Sequence, residues 1–299
     1  MHIREILDSK TVACSFEFFP PKTDESSLEL YNTVKELDTL KPAYVSITYG
    51  AGGSTRSLTH DLVVKLSREM RFPVVSHLTC VGSERDETEK ILNRYVECGI
   101  FNIMALRGDI PSETLPQIQN GFEHAVDLVS FIRTKFPSMG IGVAGYPEGH
   151  HETPNRMKEM DYLKEKVDAG ADYICTQLFY DNHDFFDFRE RCTTAGITVP
   201  IVAGIMPVTS RKNMLRMSEL ALGTRIPGKL MRALARARST EQVRNVGVHW
   251  ATEQVRDLID GGVSGIHFYT LNRSNATQKI YENLGVVTSA DFETPPTYP

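Results

Sequence analysis

Short apolar segments alternate along the chain with longer segments in which apolar residues recur every three or four positions. The apolar segments are nearly continuous in hydrophobicity and rich in β-branched and aromatic residues. They lie at 11–19, 44–50, 74–79, 102–108, 140–146, 173–180, 200–207 and 265–271. Strands with this composition are covered on both faces, as in parallel sheets. The pattern therefore predicts eight buried parallel strands.

The segments between the strands predict amphipathic helices. From 26 to 40, the apolar positions fall at helical spacing, at Leu28, Tyr31, Val34 and Leu37. Gly99 and Gly170 each follow another such segment, where a glycine commonly ends a helix.

Eight alternations of strand and helix indicate an α/β protein built from parallel strand–helix–strand units. They predict closure into a single (β/α)8 barrel of the TIM type over residues 1–299. The long interval between 207 and 265 predicts extra helices before the last strand. Residues 287–299 are polar and contain prolines, so we expect a loose C-terminal tail.

Composition and charge exclude several classes of function. A net charge of −5 and a pI of about 6.0 argue against nucleic acid or an anionic membrane as the main partner. The five cysteines form no CxxC pair or zinc spacing, which indicates reduced thiols. The N-terminus is charged and no apolar run is long enough to cross a membrane. We therefore expect a cytoplasmic protein.

One stretch, residues 229–244, is strongly basic. A solvated helix face explains such a run. A helper site for the anionic tail of a substrate is the alternative, and the sequence leaves both open.

Polar residues follow most of the predicted strands, at the strand ends where barrel enzymes place their active sites. These residues are Glu17, Thr48, Tyr49, His77, Arg107, Asp109, Tyr146, Glu148, His150, His151, Gln177, Tyr180, Tyr269, Asn272 and Arg273. Surface loops chosen at random would not place a polar group at the same end of so many apolar strands. The pattern predicts an enzyme.

Glu17 lies in an unusually apolar sequence, SFEFFPPK. It is either a barrel-interior carboxylate paired with arginine or lysine, or a general acid. Phe16, Phe18 and Phe19 favour the acid, because they are expected to desolvate the carboxyl group and favour its protonated form. His77 leaves a similar choice between a core histidine and a site residue.

Other catalytic chemistries are poorly supported by the motifs. GAGG at 50–53 has neither the spacing of a P-loop nor that of a Rossmann fingerprint. His77, His150 and His151 have no carboxylate pairing that forms a recognisable metal set, so no metal is predicted. The chain contains no GxSxG.

Several motifs in order, FEFFPPK, SITYGAGGSTR, HLTC, ALRGD, GYPEGH, PIVAGIMPV and HFYTLNR, resemble those of the bacterial methylenetetrahydrofolate reductases. The resemblance runs from about residue 10 to 286. It implies a flavin-dependent barrel that reduces 5,10-methylenetetrahydrofolate to 5-methyltetrahydrofolate with NAD(P)H and supplies methyl groups for methionine synthesis. It also implies ping-pong kinetics, a homo-oligomer, and no C-terminal regulatory domain.

The resemblance implies two sets of site residues. FAD would be bound by Thr48, Tyr49, Ala51, His77, Arg107, Gly108, Asp109, Ala125, Tyr146, His150 and Lys166. The folate would be bound by Glu17, Asp109, Gln177 and Arg273. Glu17 would protonate the departing ring nitrogen of the substrate, and Asp109 would lower the reduction potential of the flavin. Asn213 and Glu165 depart from the family pattern near the folate and the cofactor phosphates.

Three alternatives remain beside this interpretation. One is a flavin-free member of the same family that passes hydride directly from NADH. Another is a barrel aldolase, which would need a Schiff-base lysine at a strand end, where none is found. The third is a non-catalytic folate or flavin carrier.

Overall fold

The computed structural model describes residues 1–21, 23–48, 56–108, 120–221 and 223–293. Its strands are β1 Ala13–Phe18, β2 Tyr44–Ile47, β3 Val74–Thr79, β4 Asn102–Leu106, β5 Gly140–Gly145, β6 Tyr173–Thr176, β7 Ile201–Ile205 and β8 Gly265–Tyr269. They form a closed barrel in chain order, and β1 pairs in parallel with both β2 and β8. The predicted (β/α)8 barrel is confirmed, and each strand lies within its predicted segment.

Helices follow the strands and cover the outside of the barrel. Those in the described residues are α1 Ile3–Ser9, α2 Asp24–Asp38, α3 Arg56–Glu69, α4 Arg85–Glu97, α5 Ala125–Lys135, α6 Arg156–Asp168, α7 Asn182–Thr194, α8 Arg211–Leu220, α9 Gly228–Arg236, α10 Thr240–Asp260 and α11 Asn275–Leu284. Helices α8, α9 and α10 lie between β7 and β8, which confirms the predicted extra helices.

Helix α1 closes the N-terminal end of the barrel. Its apolar residues Ile3, Ile6 and Leu7 are buried against barrel residues such as Tyr44 and Tyr173. The backbone N–H of Ile3 also donates to the side chain of Asn102 at 3.1 Å. A ligand therefore enters from the opposite end, where the strands terminate.

The segment after α11 is anchored as far as residue 293, where a loose tail was predicted. Residues Ser289–Glu293 form a 3-10 helix. The Ser289 N–H donates to the Leu40 carbonyl at 2.8 Å, and its hydroxyl lies 2.9 Å from the Tyr281 hydroxyl. Phe292 packs edge-on against Tyr281 with ring centroids 5.3 Å apart. These contacts hold the segment against the barrel, so the prediction was wrong for 289–293.

No helix in the described parts of the chain is both long and apolar enough to span a membrane.

Candidate active site

A cavity of about 750 Å³ opens at the C-terminal ends of the strands. Ten of the residues assigned to FAD or the folate line it, namely Glu17, Thr48, His77, Arg107, Gly108, Ala125, Tyr146, His150, Lys166 and Gln177. Tyr49, Ala51 and Asp109 lie outside the described residues. Arg273 is exposed in the turn after β8 and does not line the cavity. The structure thus brings most of the predicted residues to one place.

Glu17 lies at the floor of this cavity, inside the barrel. Its Oε2 atom is 3.5 Å from Nε2 of His77 and 3.5 Å from Nε2 of His267. Its side chain is 17% exposed. Within the described residues, no arginine or lysine pairs with it. Glu17 therefore lies between two imidazoles, and the alternative of a structural ion pair is not observed among these residues.

Phe16 and Phe18 lie on the other face of β1, and Phe19 is exposed after the end of the strand. Side chains alternate across a strand, so Phe16 and Phe18 join the core between barrel and helices, whereas Ser15 and Glu17 point inward. Phe16 packs against Tyr281 of α11 with ring centroids 6.4 Å apart. The expected desolvation of Glu17 by these rings was wrong, and the barrel interior forms its surroundings instead.

His77, on β3, is both a buried barrel residue and part of the cavity wall. Its Nε2 makes no hydrogen bond within the described residues. Burial lowers the pKa of His77, with only partial compensation from the nearby Glu17. The imidazole is therefore neutral at physiological pH.

His267 was not among the residues assigned to the site from the sequence, although it lines the cavity. It lies on β8 and is 2% exposed. Its Nδ1 is 2.7 Å from the Ser15 hydroxyl, and its Nε2 is 3.2 Å from the Ser46 hydroxyl. The signal for it was a histidine within an otherwise apolar strand, since such a residue needs buried polar partners.

One wall of the cavity carries a lysine and a carboxylate from α6. Lys166 Nζ donates to the Ala144 carbonyl at 2.9 Å, and burial lowers the pKa of Lys166 to about 8. Glu159 is 6% exposed, and neither of its carboxylate oxygens has a hydrogen-bond partner in the described residues. Burial raises the pKa of Glu159. A carboxylate in this position can accept hydrogen bonds from a ligand at this wall.

The mouth of the cavity is formed by the loops after β4 and β5. Arg107 pairs with Glu152 at 2.6 Å, which lowers the pKa of Glu152. The rings of Tyr146 and His150 meet edge-on, with centroids 4.7 Å apart. Burial lowers the pKa of His150.

Gly108 follows β4 with a φ of +85°, and a Cβ atom there would lie 3.0 Å from Cβ of Thr79. Only glycine fits this turn without strain. The described residues contain no group of three His, Cys, Asp or Glu side chains that could hold a metal ion.

The fold and the site define the class of the protein as a TIM barrel with a ligand-sized cavity, containing several polar side chains, at the C-terminal ends of its strands. A sequence model of the methylenetetrahydrofolate reductase family matches residues 2–285. The chain belongs to this family.

Its relatives include 5,10-methylenetetrahydrofolate reductase of Salmonella typhimurium, which is 38% identical over 273 residues, 91% of this chain and 90% of the relative. Methylenetetrahydrofolate reductase (NADH) 1 of Arabidopsis thaliana is 38% identical over 298 residues, or 95% of this chain. The chain spans 50% of the length of that plant relative and of its maize counterpart.

Among solved structures, a Clostridium thermocellum protein superposes with a TM-score of 0.68 at 17% identity, covering 94% of this chain and 96% of that one. That protein is described as binding two copies of 5-methyl-5,6,7,8-tetrahydrofolic acid. At this identity the likeness shows the fold alone.

Proposed function

We propose that the protein reduces 5,10-methylenetetrahydrofolate to 5-methyltetrahydrofolate with NAD(P)H and bound FAD, as a cytoplasmic homo-oligomer that supplies methyl groups for methionine synthesis. The observation that carries this proposal is Glu17, a barrel-interior carboxyl group held between two histidines at the floor of the cavity. Family membership and the names of the relatives support it.

The residues of the cavity suit FAD. The volume of the cavity falls within the range of about 300–1,000 Å³ that is usual for small-molecule sites. Lys166 offers a cation for a diphosphate, and the unpartnered oxygens of Glu159 can accept from ribose hydroxyls. We assign FAD binding to Thr48, Tyr49, Ala51, His77, Arg107, Gly108, Asp109, Ala125, Tyr146, His150 and Lys166. FAD bound by these residues would supply the hydride-transfer chemistry between NAD(P)H and the folate.

Glu17 supplies the proton for the folate. The five-membered ring of the substrate must open before its methylene carbon can accept hydride. The Glu17 carboxyl group donates its proton to the departing nitrogen, the carbon–nitrogen bond breaks with its electron pair going to that nitrogen, and a cationic iminium remains on the folate. Glu17 is left as a carboxylate and must be reprotonated before the next turnover.

The surroundings of Glu17 suit this role. A nearby cation would hold the carboxylate form and make proton donation harder. His77 is neutral because burial lowers its pKa, and no arginine or lysine of the described residues pairs with Glu17.

Two other residues are proposed to orient the folate. Gln177 lines the cavity, and its Oε1 accepts from the Leu178 N–H at 2.9 Å, which leaves the amide hydrogens for the pterin edge. Arg273 is exposed beyond β8, where it can meet the carboxylates of the glutamate portion. Asp109 is proposed to tune the flavin.

The test is an absorbance spectrum of the purified protein, followed by anaerobic addition of NADH and then of methylenetetrahydrofolate. We expect a yellow protein that bleaches with NADH and recolours with the folate. A colourless protein that takes up no FAD, yet oxidises NADH with the folate, would replace the flavin mechanism by direct hydride transfer. A flavin that the folate does not reoxidise would contradict the proposed reaction.

A further inference from the structure

The interior of the barrel contains a hydrogen-bonded chain of side chains that runs downward from Glu17. His267 is its central member, with Ser15 on β1 at one ring nitrogen and Ser46 on β2 at the other. All three are at most 2% exposed. Nothing in the mechanism above uses His267, although its Nε2 lies 3.5 Å from the Glu17 carboxyl group.

The partners of Ser15 are compatible with a proton on Nδ1 of His267. The Ser15 hydroxyl can donate to the Ile266 carbonyl, which lies 3.4 Å away. If it does, the 2.7 Å contact between Ser15 Oγ and His267 Nδ1 requires the ring to donate its Nδ1–H. A neutral ring then has a lone pair on Nε2, the nitrogen that faces Ser46 and Glu17.

We propose that His267 is a positioning residue for Glu17, because its Nδ1-protonated tautomer presents Nε2 as the acceptor for the carboxylic acid proton. The role rests on the proposed function of Glu17 as the acid. A hydrogen bond to the neutral form of a carboxyl group favours that form. The 3.5 Å separation is long for such a bond, and contacts of this kind commonly tighten once substrate is bound.

The other titratable groups around His267 do not supply a competing charge. They are Tyr44 on β2, His77 on β3, Cys175 on β6 and Tyr269 on β8. Burial raises the pKa of Tyr44, Cys175 and Tyr269 and lowers that of His77, so all four are neutral near pH 7. Glu17 and His267 therefore face each other among neutral neighbours.

The tautomer can be read directly by nitrogen-15 NMR of histidine-labelled wild-type protein. We expect the ring proton of His267 on Nδ1, with Nε2 unprotonated. A ring protonated on Nε2, or on both nitrogens, would overturn the proposal. This measurement needs no folate reduction, so it tests the tautomer of His267 separately from the proposed reaction.

Two variants test the consequence for catalysis. His267→Asn places an amide near Nδ1 only, whereas His267→Gln reaches the position of Nε2. We expect His267→Asn to slow reoxidation by the folate about 10- to 100-fold, with flavin reduction by NADH unchanged. In this variant, the rate of reoxidation by the folate should begin to fall at a lower pH on the alkaline side of its pH profile. His267→Gln should recover most of the rate.

His249→Asn, on an exposed position of α10, is the matched control. In a Glu17→Gln background, His267→Asn should cause no further loss, because the two residues act as a unit. If the folate reoxidised the flavin of His267→Asn at the wild-type rate, or if both half-reactions slowed equally, His267 would have a role apart from Glu17. If neither variant folds, the wild-type NMR result alone decides.

Discussion

At the floor of the cavity, Glu17 lies between two imidazoles, whereas near its mouth two carboxylates share one guanidinium. Arg225, in the loop between α8 and α9, pairs with Glu148 at 3.1 Å and also with Asp184 on α7. The side chains of Glu148 and Asp184 are 5% and 9% exposed, while that of Arg225 is 68% exposed. The mouth therefore satisfies its carboxylates with an ion pair, and the floor does not.

The difference separates two uses of a buried carboxyl group. Burial raises the pKa of Glu148 even though Arg225 lies against it, so desolvation outweighs pairing there. The network at the mouth ties the loop after β5 and the loop after α8 to helix α7, so its role is structural. Glu17 has no cationic partner in the described residues, which suits a group proposed to donate a proton. Four variants would break or sharpen this contrast.

The largest effect is expected from Glu17→Gln, which removes the proton donor and keeps the shape. Turnover should fall about 1,000-fold, because general acids contribute about 100- to 10,000-fold. The free energy of unfolding should change by less than about 1 kcal/mol, since no ion pair is broken. Steady-state rates and urea unfolding measure the two quantities. The control is Glu282→Gln, because Glu282 forms an exposed ion pair with Lys279.

Arg225→Ala should have the opposite profile. It leaves two buried carboxylates without their cation and should lower the free energy of unfolding by about 1–2 kcal/mol, a moderate figure because Arg225 itself is exposed to solvent. Turnover should stay within about threefold of wild type. Arg256→Ala, which breaks an exposed pair with Glu253, should cost less than about 0.5 kcal/mol. A large loss of turnover in Arg225→Ala with unchanged stability would contradict the distinction between a structural network at the mouth and a catalytic Glu17 at the floor.

Lys166→Met should show a pH-dependent gain in stability in flavin-free protein. Burial lowers the pKa of Lys166 from 10.5 to about 8, so the folded state accommodates the charged lysine poorly. This penalty is fully present below about pH 8 and disappears as the pH rises toward 10.5. The stability difference between variant and wild type should therefore shrink over that interval. Lys164→Met on the same helix should show no such trend.

Tyr269→Phe should have the smallest effect. It removes the hydrogen bond from the Tyr269 hydroxyl to the Thr176 carbonyl at 2.7 Å and leaves the ring in place. The cost should be about 1 kcal/mol in thermal or urea unfolding. Tyr162→Phe, at an exposed position, provides the comparison. A strong loss of turnover in Tyr269→Phe would add this hydroxyl to the catalytic groups.

The barrel could be predicted from the sequence because parallel strands covered on both faces leave continuous apolar runs. The ends of those runs also located Glu17, His77 and Gln177 at one cavity. His267 was missed because only the ends of the apolar runs were searched for site residues, and His267 lies within a run. Its inward orientation follows only from the register that sets it beside Ser15.

The network at the mouth could not be predicted, because it joins two loops without a periodic pattern to the first turn of α7. Arg225 is 77 residues from Glu148 and 41 from Asp184. The phenylalanines around Glu17 led to a wrong prediction, namely that their rings desolvate its carboxyl group. They are neighbours in the sequence, but the alternation of β1 places Phe16 and Phe18 on the face opposite to Glu17.

The most direct test of the account is anaerobic rapid mixing of Glu17→Gln, with its two half-reactions followed separately. The account predicts that NADH reduces the bound flavin at the wild-type rate, while reoxidation by methylenetetrahydrofolate slows about 1,000-fold. Reoxidation at the wild-type rate would contradict the assignment of the proton to Glu17. Equal slowing of both half-reactions would show that Glu17 serves the site as a whole instead of protonating the folate.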